Sequence, residues 1–166
     1  GSSSSFTVGL LNALYAKQGR HIGKEQLATQ AIHVEQNLNR EPVGSQDQIA
    51  AAYGGLNHIE FFTDGSFKVS PIIIQPDTRR RLENNLMMYF TGVTRMSSDY
   101  SSAKINSISQ RETELAQMRS LVLDALHILR KEDGDLHDFG RLLHENWQLK
   151  KTLSDKVTSP HLEEVY

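Results

Sequence analysis

The chain has 166 residues, with 18 Lys and Arg against 20 Asp and Glu, a formal net charge of −2 and no cysteine. The length suits one domain, or one large piece of a larger protein, with a real core. The charge balance, with no segment rich in Lys and Arg, excludes a protein that tracks a nucleic-acid backbone. The missing cysteines exclude disulfides, thiolate metal sites and thiol nucleophiles, and no apolar run is long enough to span a bilayer.

In chain order, Gly1-Ser2-Ser3-Ser4-Ser5 leads straight into Phe6-Thr7-Val8-Gly9-Leu10-Leu11-Asn12-Ala13-Leu14-Tyr15. The pattern predicts a hydroxyl-rich turn opening onto an amphipathic helix from about Ser5 to Lys17. Free backbone N–H groups, hydroxyls and the positive end of a helix dipole then meet at one point, which suits a phosphate. Phe6, Leu10, Leu11 and Leu14 are expected to anchor that helix. A Gly-Ser run of this kind also reads as a cloning remnant or an ordinary helix cap. A second helix is predicted from about Lys24 to Leu38, with Leu27, Ala28, Ala31, Ile32 and Leu38 as its apolar stripe. Glu35 falls one turn beyond Ala31, beside that stripe.

Pro42 and Gly44 mark a loop. Ser45 to Tyr53 reads as a short helix ended by Gly54-Gly55. His58–Phe62 and Phe67–Ile74 read as strands joined by the hairpin signal Thr63-Asp64-Gly65-Ser66. A helix from Pro76 to Glu83 and a buried strand from Leu86 to Thr91 follow. A long helix is predicted from about Ala103 to Lys131, carrying Ile108, Leu115, Met118, Val122, Ala125 and Leu129. Asp133-Gly134-Asp135 breaks it, and another runs from Leu136 to about Leu153 with Phe139, Leu143, Trp147 and Lys150 on one face. The order of elements is α+β rather than a βαβ repeat.

Gln46-Asp47-Gln48 places a carboxylate between two amides at a helix start, twelve residues after Glu35. After a phosphate-suited turn, two carboxylates suggest a division of labour. One holds a divalent metal and the other accepts a proton from a hydroxyl. The plainer alternative makes Asp47 a helix-start residue and Glu35 a solvated one. The histidines His21, His33, His58, His127, His137 and His161 show no metal-ligand spacing.

The stretch from Gly1 to Leu14 resembles the second half of the phosphate-binding motif of the GHMP small-molecule kinases. Val34-Glu35, Val43 to Asn57, Ile59-Glu60-Phe61, Tyr89 to Arg95 and Leu143 to Lys150 are similar to its sugar-phosphate branch. Fucokinase-type enzymes are the next resemblance. The likeness implies a GHMP kinase fold of the α+β class, seen from the middle of such a kinase. Residues 1–75 would be the end of a ribosomal-protein-S5-like ATP-binding domain, and 76–166 most of a ferredoxin-like C-terminal domain. On that reading the chain exposes apolar surface where preceding strands would lie.

The resemblance also implies chemistry. Gly1, Ser2, Ser3, Ser4 and Ser5 would wrap the phosphates of ATP. Ser3 and Glu35 would hold Mg²⁺. Asp47 would act as general base on the anomeric hydroxyl of a phosphorylated heptose, with Gln46, Asp47 and Arg95 touching the sugar phosphate. The product would feed nucleotide-activated heptose for bacterial surface polysaccharides. The expected partners are ATP and a small sugar phosphate, without nucleic acid or membrane, in the cytoplasm. A fucose-type acceptor and a non-catalytic ligand-binding fragment are the alternatives. Arg79-Arg80-Arg81 reads mainly as a solvated helix face, and His144, Trp147 and Lys150 mainly as packing.

Overall fold

The computed structural model describes residues 2–90, 111–131, 134–154 and 157–166. Their contacts divide the chain into one unit ending at Ile72 and a second beginning at Ile73.

In the first unit, α1 spans Ser2–Lys17, so the serines form its first turn rather than a turn ahead of it. Serine is tolerated there because the first four N–H groups of a helix have no intrahelical acceptor and small hydroxyls crowd nothing. Helix α2 spans Lys24–Ile32 and runs directly into a π-helical turn, His33–Leu38. Helix α3 spans Gln46–Tyr53. The three helices pack on one another. Their core is Val8, Ile22, Leu27 and Ala31, lined by Leu11, Tyr15, Ala51 and Ala52, with Ile49 fully buried. Alanine at positions 28 and 31, each 0% exposed, lets the neighbouring helix backbones approach closely. Lys24 donates through Nζ to the Tyr53 carbonyl at 2.7 Å, placing a cation on the C-terminus of α3.

The anchoring face of α1 differs from the expected one. Ser4 and Val8 are buried and Leu11 and Tyr15 partly so, whereas Phe6 is 70% exposed and Leu10 and Leu14 are exposed as well. Apolar residues lie all around this helix, so periodicity alone cannot choose the inward face. The choice falls to the face with small residues, which admits α2 and α3. The outward stripe agrees in kind with the expected exposure of apolar surface, and Phe61 and Phe62 are exposed in the same unit.

Strands β1 (Asn57–Phe61) and β2 (Phe67–Pro71) pair antiparallel, with Ile59 opposite Val69 and Phe61 opposite Phe67. Both expected strands are present. The second ends at Pro71, three residues early, and the last backbone bond between the two segments runs from Ile72 N–H to the Leu56 carbonyl at 2.9 Å. Gly65 takes φ 84°, which a turn of this kind requires and glycine adopts without strain. Asp64 accepts from the Ser66 hydroxyl at 2.6 Å and the Ser66 N–H at 2.8 Å. Those bonds, the side-chain one first, hold its carboxyl below the usual carboxylate range.

In the second unit, α4 (Pro76–Asn85) starts with proline at its first turn, where no N–H is needed. The expected buried strand from Leu86 is absent among the described residues. Residues 86–90 have no regular structure, and Met88 is 98% exposed. A strand needs a partner for its backbone groups, and none pairs with this segment among the described residues. Thr91, Gly92, Ile108 and the predicted helix start at Ala103 lie outside the described residues. Helix α5 spans Glu112–Arg130 and packs on α6, Leu136–Thr152. Leu121, Leu126 and Leu129 are its buried residues; of the expected stripe Leu129 is buried, Leu115, Met118 and Ala125 are partly buried, and Val122 is exposed. Leu143 on α6 is likewise exposed. Asp135 caps α6 by accepting from the His137 N–H at 2.9 Å. Helix α7, Pro160–Val165, closes the unit, tied to α6 by Lys151 and Glu163 at 3.0 Å.

Gly134 sits buried where α5 turns toward α6, and a Cβ there would overlap the Ile128 carbonyl oxygen. Backbone cannot yield as a side chain can. Gly134→Ala is therefore expected to destabilise the α5–α6 hairpin by about 1–3 kcal/mol, read as a lowered urea midpoint. An unchanged midpoint would show that the turn relaxes freely.

Candidate functional site

The π-helical turn carries Glu35 into the interior. Asn39 N–H bonds to the Val34 carbonyl, five residues back, and Glu41 N–H to the Glu35 carbonyl, both at 2.9 Å. Glu35 lies four residues after Ala31 and so continues the buried line of Leu27, Ala28 and Ala31, while Leu38 at the end of the turn faces solvent. π-turns inside helices recur at functional sites. Glu35 is 1% exposed. A carboxylate so placed must be satisfied.

Three donors satisfy it. Ser4 Oγ donates to Glu35 Oε2 at 3.0 Å, and Thr7 Oγ1 donates to Oε1 at 3.1 Å. Gln48 Nε2 also donates to Oε2. Ser4 and Thr7 share a face of α1 because they are three residues apart. Gln48 points inward because it is one helical step past Asp47, a rotation of about 100°. Its Oε1 is buried with no partner among the described residues. No Lys, Arg or His forms an ion pair with Glu35 among the described residues.

Beside this cluster lies a cleft of about 420 Å³, lined by Ser3, Phe6, Thr7, Leu10, Glu35 and Glu41 among others. Ser3 is exposed and reaches the cleft, while Ser4 is the serine bonded to Glu35. Ser2 and Ser5 are exposed on the same first turn, and Gly1 lies outside the described residues. Gln46 and Asp47 are exposed on the first turn of α3. Arg95 lies outside the described residues. Thus the structure joins Glu35 to the serine turn. It also brings in Ser4, Thr7 and Gln48, whose bonds to Glu35 were not anticipated. The three-residue spacing of Ser4 and Thr7 was the signal available for that pair.

The oxygen-rich set fits a hard cation. Mg²⁺ usually takes one or two protein oxygens and completes its shell with water and phosphate. No group of three or more His, Cys, Asp or Glu with metal-holding geometry occurs among the described residues, so a dedicated protein cage is not what this site offers.

In the second unit a cleft of about 470 Å³ gathers Arg81, Asn85, Asp135, His137, Arg141 and His144. Arg141 pairs with Asp138 at 2.7 Å. His144 Nδ1 lies 2.8 Å from the Tyr166 hydroxyl, and the two rings stack with centroids 5.7 Å apart. Trp147 also packs on Tyr166. His144 and Trp147 therefore serve packing. Arg79 and Arg80 pair with Glu83 and Asp77 on the solvated face of α4.

Residues 1–55 match the model of the GHMP kinases N terminal domain. This segment belongs to the GHMP kinases. The whole chain is 31% identical over 169 residues to the D-glycero-alpha-D-manno-heptose 7-phosphate kinase of Campylobacter jejuni, covering 49% of that protein. It is 26% identical over 174 residues to the L-fucokinase/L-fucose-1-P guanylyltransferase of Bacteroides fragilis, covering 99% of this chain and 18% of that one. The crystal structure of a D-glycero-D-manno-heptose 1-phosphate kinase from Bacteriodes thetaiotaomicron superposes with a TM-score of 0.67. It is 26% identical and covers 89% of this chain and 42% of its own. The chain carries the α+β GHMP kinase fold and spans about half the length of the first curated relative. No helix among the described residues is long and apolar enough to cross a membrane.

Proposed function

We propose that the chain supplies the ATP-, metal- and acceptor-binding elements of a GHMP sugar kinase acting on D-glycero-D-manno-heptose 7-phosphate. The reaction is transfer of the γ-phosphoryl group of ATP to the anomeric oxygen, giving the 1,7-bisphosphate and ADP. The carrying observation is the buried Glu35 carboxylate, held against the serine turn of α1 and open to a cleft. The 31% identity to a heptose 7-phosphate kinase supports the choice of sugar.

Each residue then has a role. The N–H groups of Ser2 to Ser5, at the positive end of α1, bind phosphate oxygens. Ser3 and Glu35 would hold Mg²⁺, which would supply positive charge to neutralise that building on the phosphates. Asp47 takes the proton of the anomeric hydroxyl as that oxygen attacks phosphorus and ADP leaves. Gln46 and Arg95 contact the sugar phosphate. Two carboxylates with such different surroundings, Glu35 buried and Asp47 exposed, suit two different tasks. The reaction is placed in the cytoplasm, where ATP is available.

The fucokinase relative supports a second reading in which only the acceptor changes. An active protein containing this chain, given Mg²⁺ and ATP, should convert heptose 7-phosphate to a bisphosphate that mass spectrometry detects. Preferential conversion of fucose would replace the acceptor assignment. No ADP formation with any of heptose 7-phosphate, heptose 1-phosphate or fucose would reject the kinase reading.

A further inference from the structure

Glu35 offers a carboxylate with about four acceptor positions, and the surrounding donors do not fill them evenly. Oε2 receives both Ser4 and Gln48, while Oε1 receives only Thr7. One acceptor position therefore remains, and it is on Oε1. Thr7 and Glu35 both line the cleft, whereas Ser4 and Gln48 do not. The residue that bonds Oε1, Thr7, is therefore the one of the three donors that also lines the cleft.

We infer that Thr7 and Gln48 are positioning residues that fix the Glu35 carboxylate so that Oε1 alone receives a divalent cation. The inference rests on the proposed kinase reading, in which Glu35 is a metal ligand. Gln48 acts as a rear clamp. It is 0% exposed and comes from α3, so it ties Oε2 to a second helix and stops the carboxylate from rotating about its last bond. Thr7 sets the tilt from α1. Its hydroxyl is satisfied by Oε1, which keeps one acceptor position unused. A carboxylate held in this way binds in a one-oxygen mode. Mg²⁺ accepts that mode readily, because near-octahedral geometry leaves little room for both oxygens of one carboxylate. The buried charge, with no basic partner among the described residues, adds an electrostatic pull toward a cation.

The test is a Mn²⁺ titration of the full chain, read from loss of the free-ion electron paramagnetic resonance signal. Outer-shell partners of metal ligands typically contribute 10–100-fold in affinity. Thr7→Val, which keeps shape and removes the hydroxyl, should weaken Mn²⁺ by about that factor, and Gln48→Leu should do the same. Thr7→Ser restores the hydroxyl and should bind within roughly threefold of the parent chain, a rescue that packing alone would not give. Urea transitions accompany each variant. Should Gln48→Leu fail to fold, the Thr7→Val and Thr7→Ser pair decides alone. Glu35→Gln separates the two ideas. If it binds Mn²⁺ like the parent chain, Glu35 is no ligand and the kinase assignment of the metal falls, taking this inference with it. If it loses Mn²⁺ while Thr7→Val retains it, the metal assignment stands and the positioning role is overturned.

Discussion

Asp47→Asn in an active protein carrying this chain is expected to lower turnover by roughly 10²–10⁴, the range of a general base. That corresponds to about 2.7–5.5 kcal/mol of barrier. The substitution suits the purpose because asparagine keeps the shape. Asp47 is exposed on the first turn of α3, where its charge also attracts the helix N-terminus. That attraction is worth about 0.3–1 kcal/mol of stability at most surface sites. Folding should therefore survive while proton transfer fails. The bound phosphates would still be positioned, and positioning carries most of phosphoryl transfer. For that reason the lower part of the range is the firmer expectation. Turnover within threefold of the parent, with normal ATP affinity, would remove the base role from Asp47.

Glu35→Ala is expected to destabilise the first unit by about 2–4 kcal/mol, from lost packing and from donors left without an acceptor. The three donors do not lose equally. Thr7 can turn its hydroxyl to a carbonyl one turn back in α1. Gln48 cannot escape so easily. It is fully buried, its Oε1 is already unpartnered, and its Nε2 would then be unpartnered as well. Most of the cost therefore falls on one amide and on the cavity left by one methylene and a carboxyl. Urea unfolding of Glu35→Ala beside Glu35→Gln reads it, since glutamine refills the volume. A variant as stable as the parent would mean that relief of a buried charge offsets the lost bonds, and that the cluster is kept for function at no net gain in stability.

Much of this was legible in the sequence for local reasons. The hairpin at Thr63-Asp64-Gly65-Ser66 needs only a glycine with positive φ and an aspartate that bonds to its own turn. Pro76 announces the start of α4, and Gly54 the end of α3, because each acts within a few residues. The resemblance of Gly1 to Leu14 pointed to the kinase family that residues 1–55 match. The segment from Leu86 was less legible. Its composition fits a strand, but strand formation requires a neighbour, and composition carries no record of whether one is there.

The sequence alone specified the helix–hairpin–helix order, the family and a short set of chemistry-bearing residues, since these depend on neighbours along the chain. Packing between segments settled which of those residues meet. It turned α1 so that Ser4 and Val8, and not Phe6 and Leu10, face inward. It closed α1 and α3 over the face of His33–Leu38 that bears Glu35 and so made a charged side chain part of the core. It also selected Gln48, rather than Gln46 or Asp47, to reach Glu35. Each choice was made by close contact among three helices, where a rotation of one residue moves a side chain from solvent to interior. Contacts of that kind join segments distant in sequence, so local spacing could mark Ser4 and Thr7 as sharing a helix face, and Glu35 as lying beside an apolar stripe, but not that they meet.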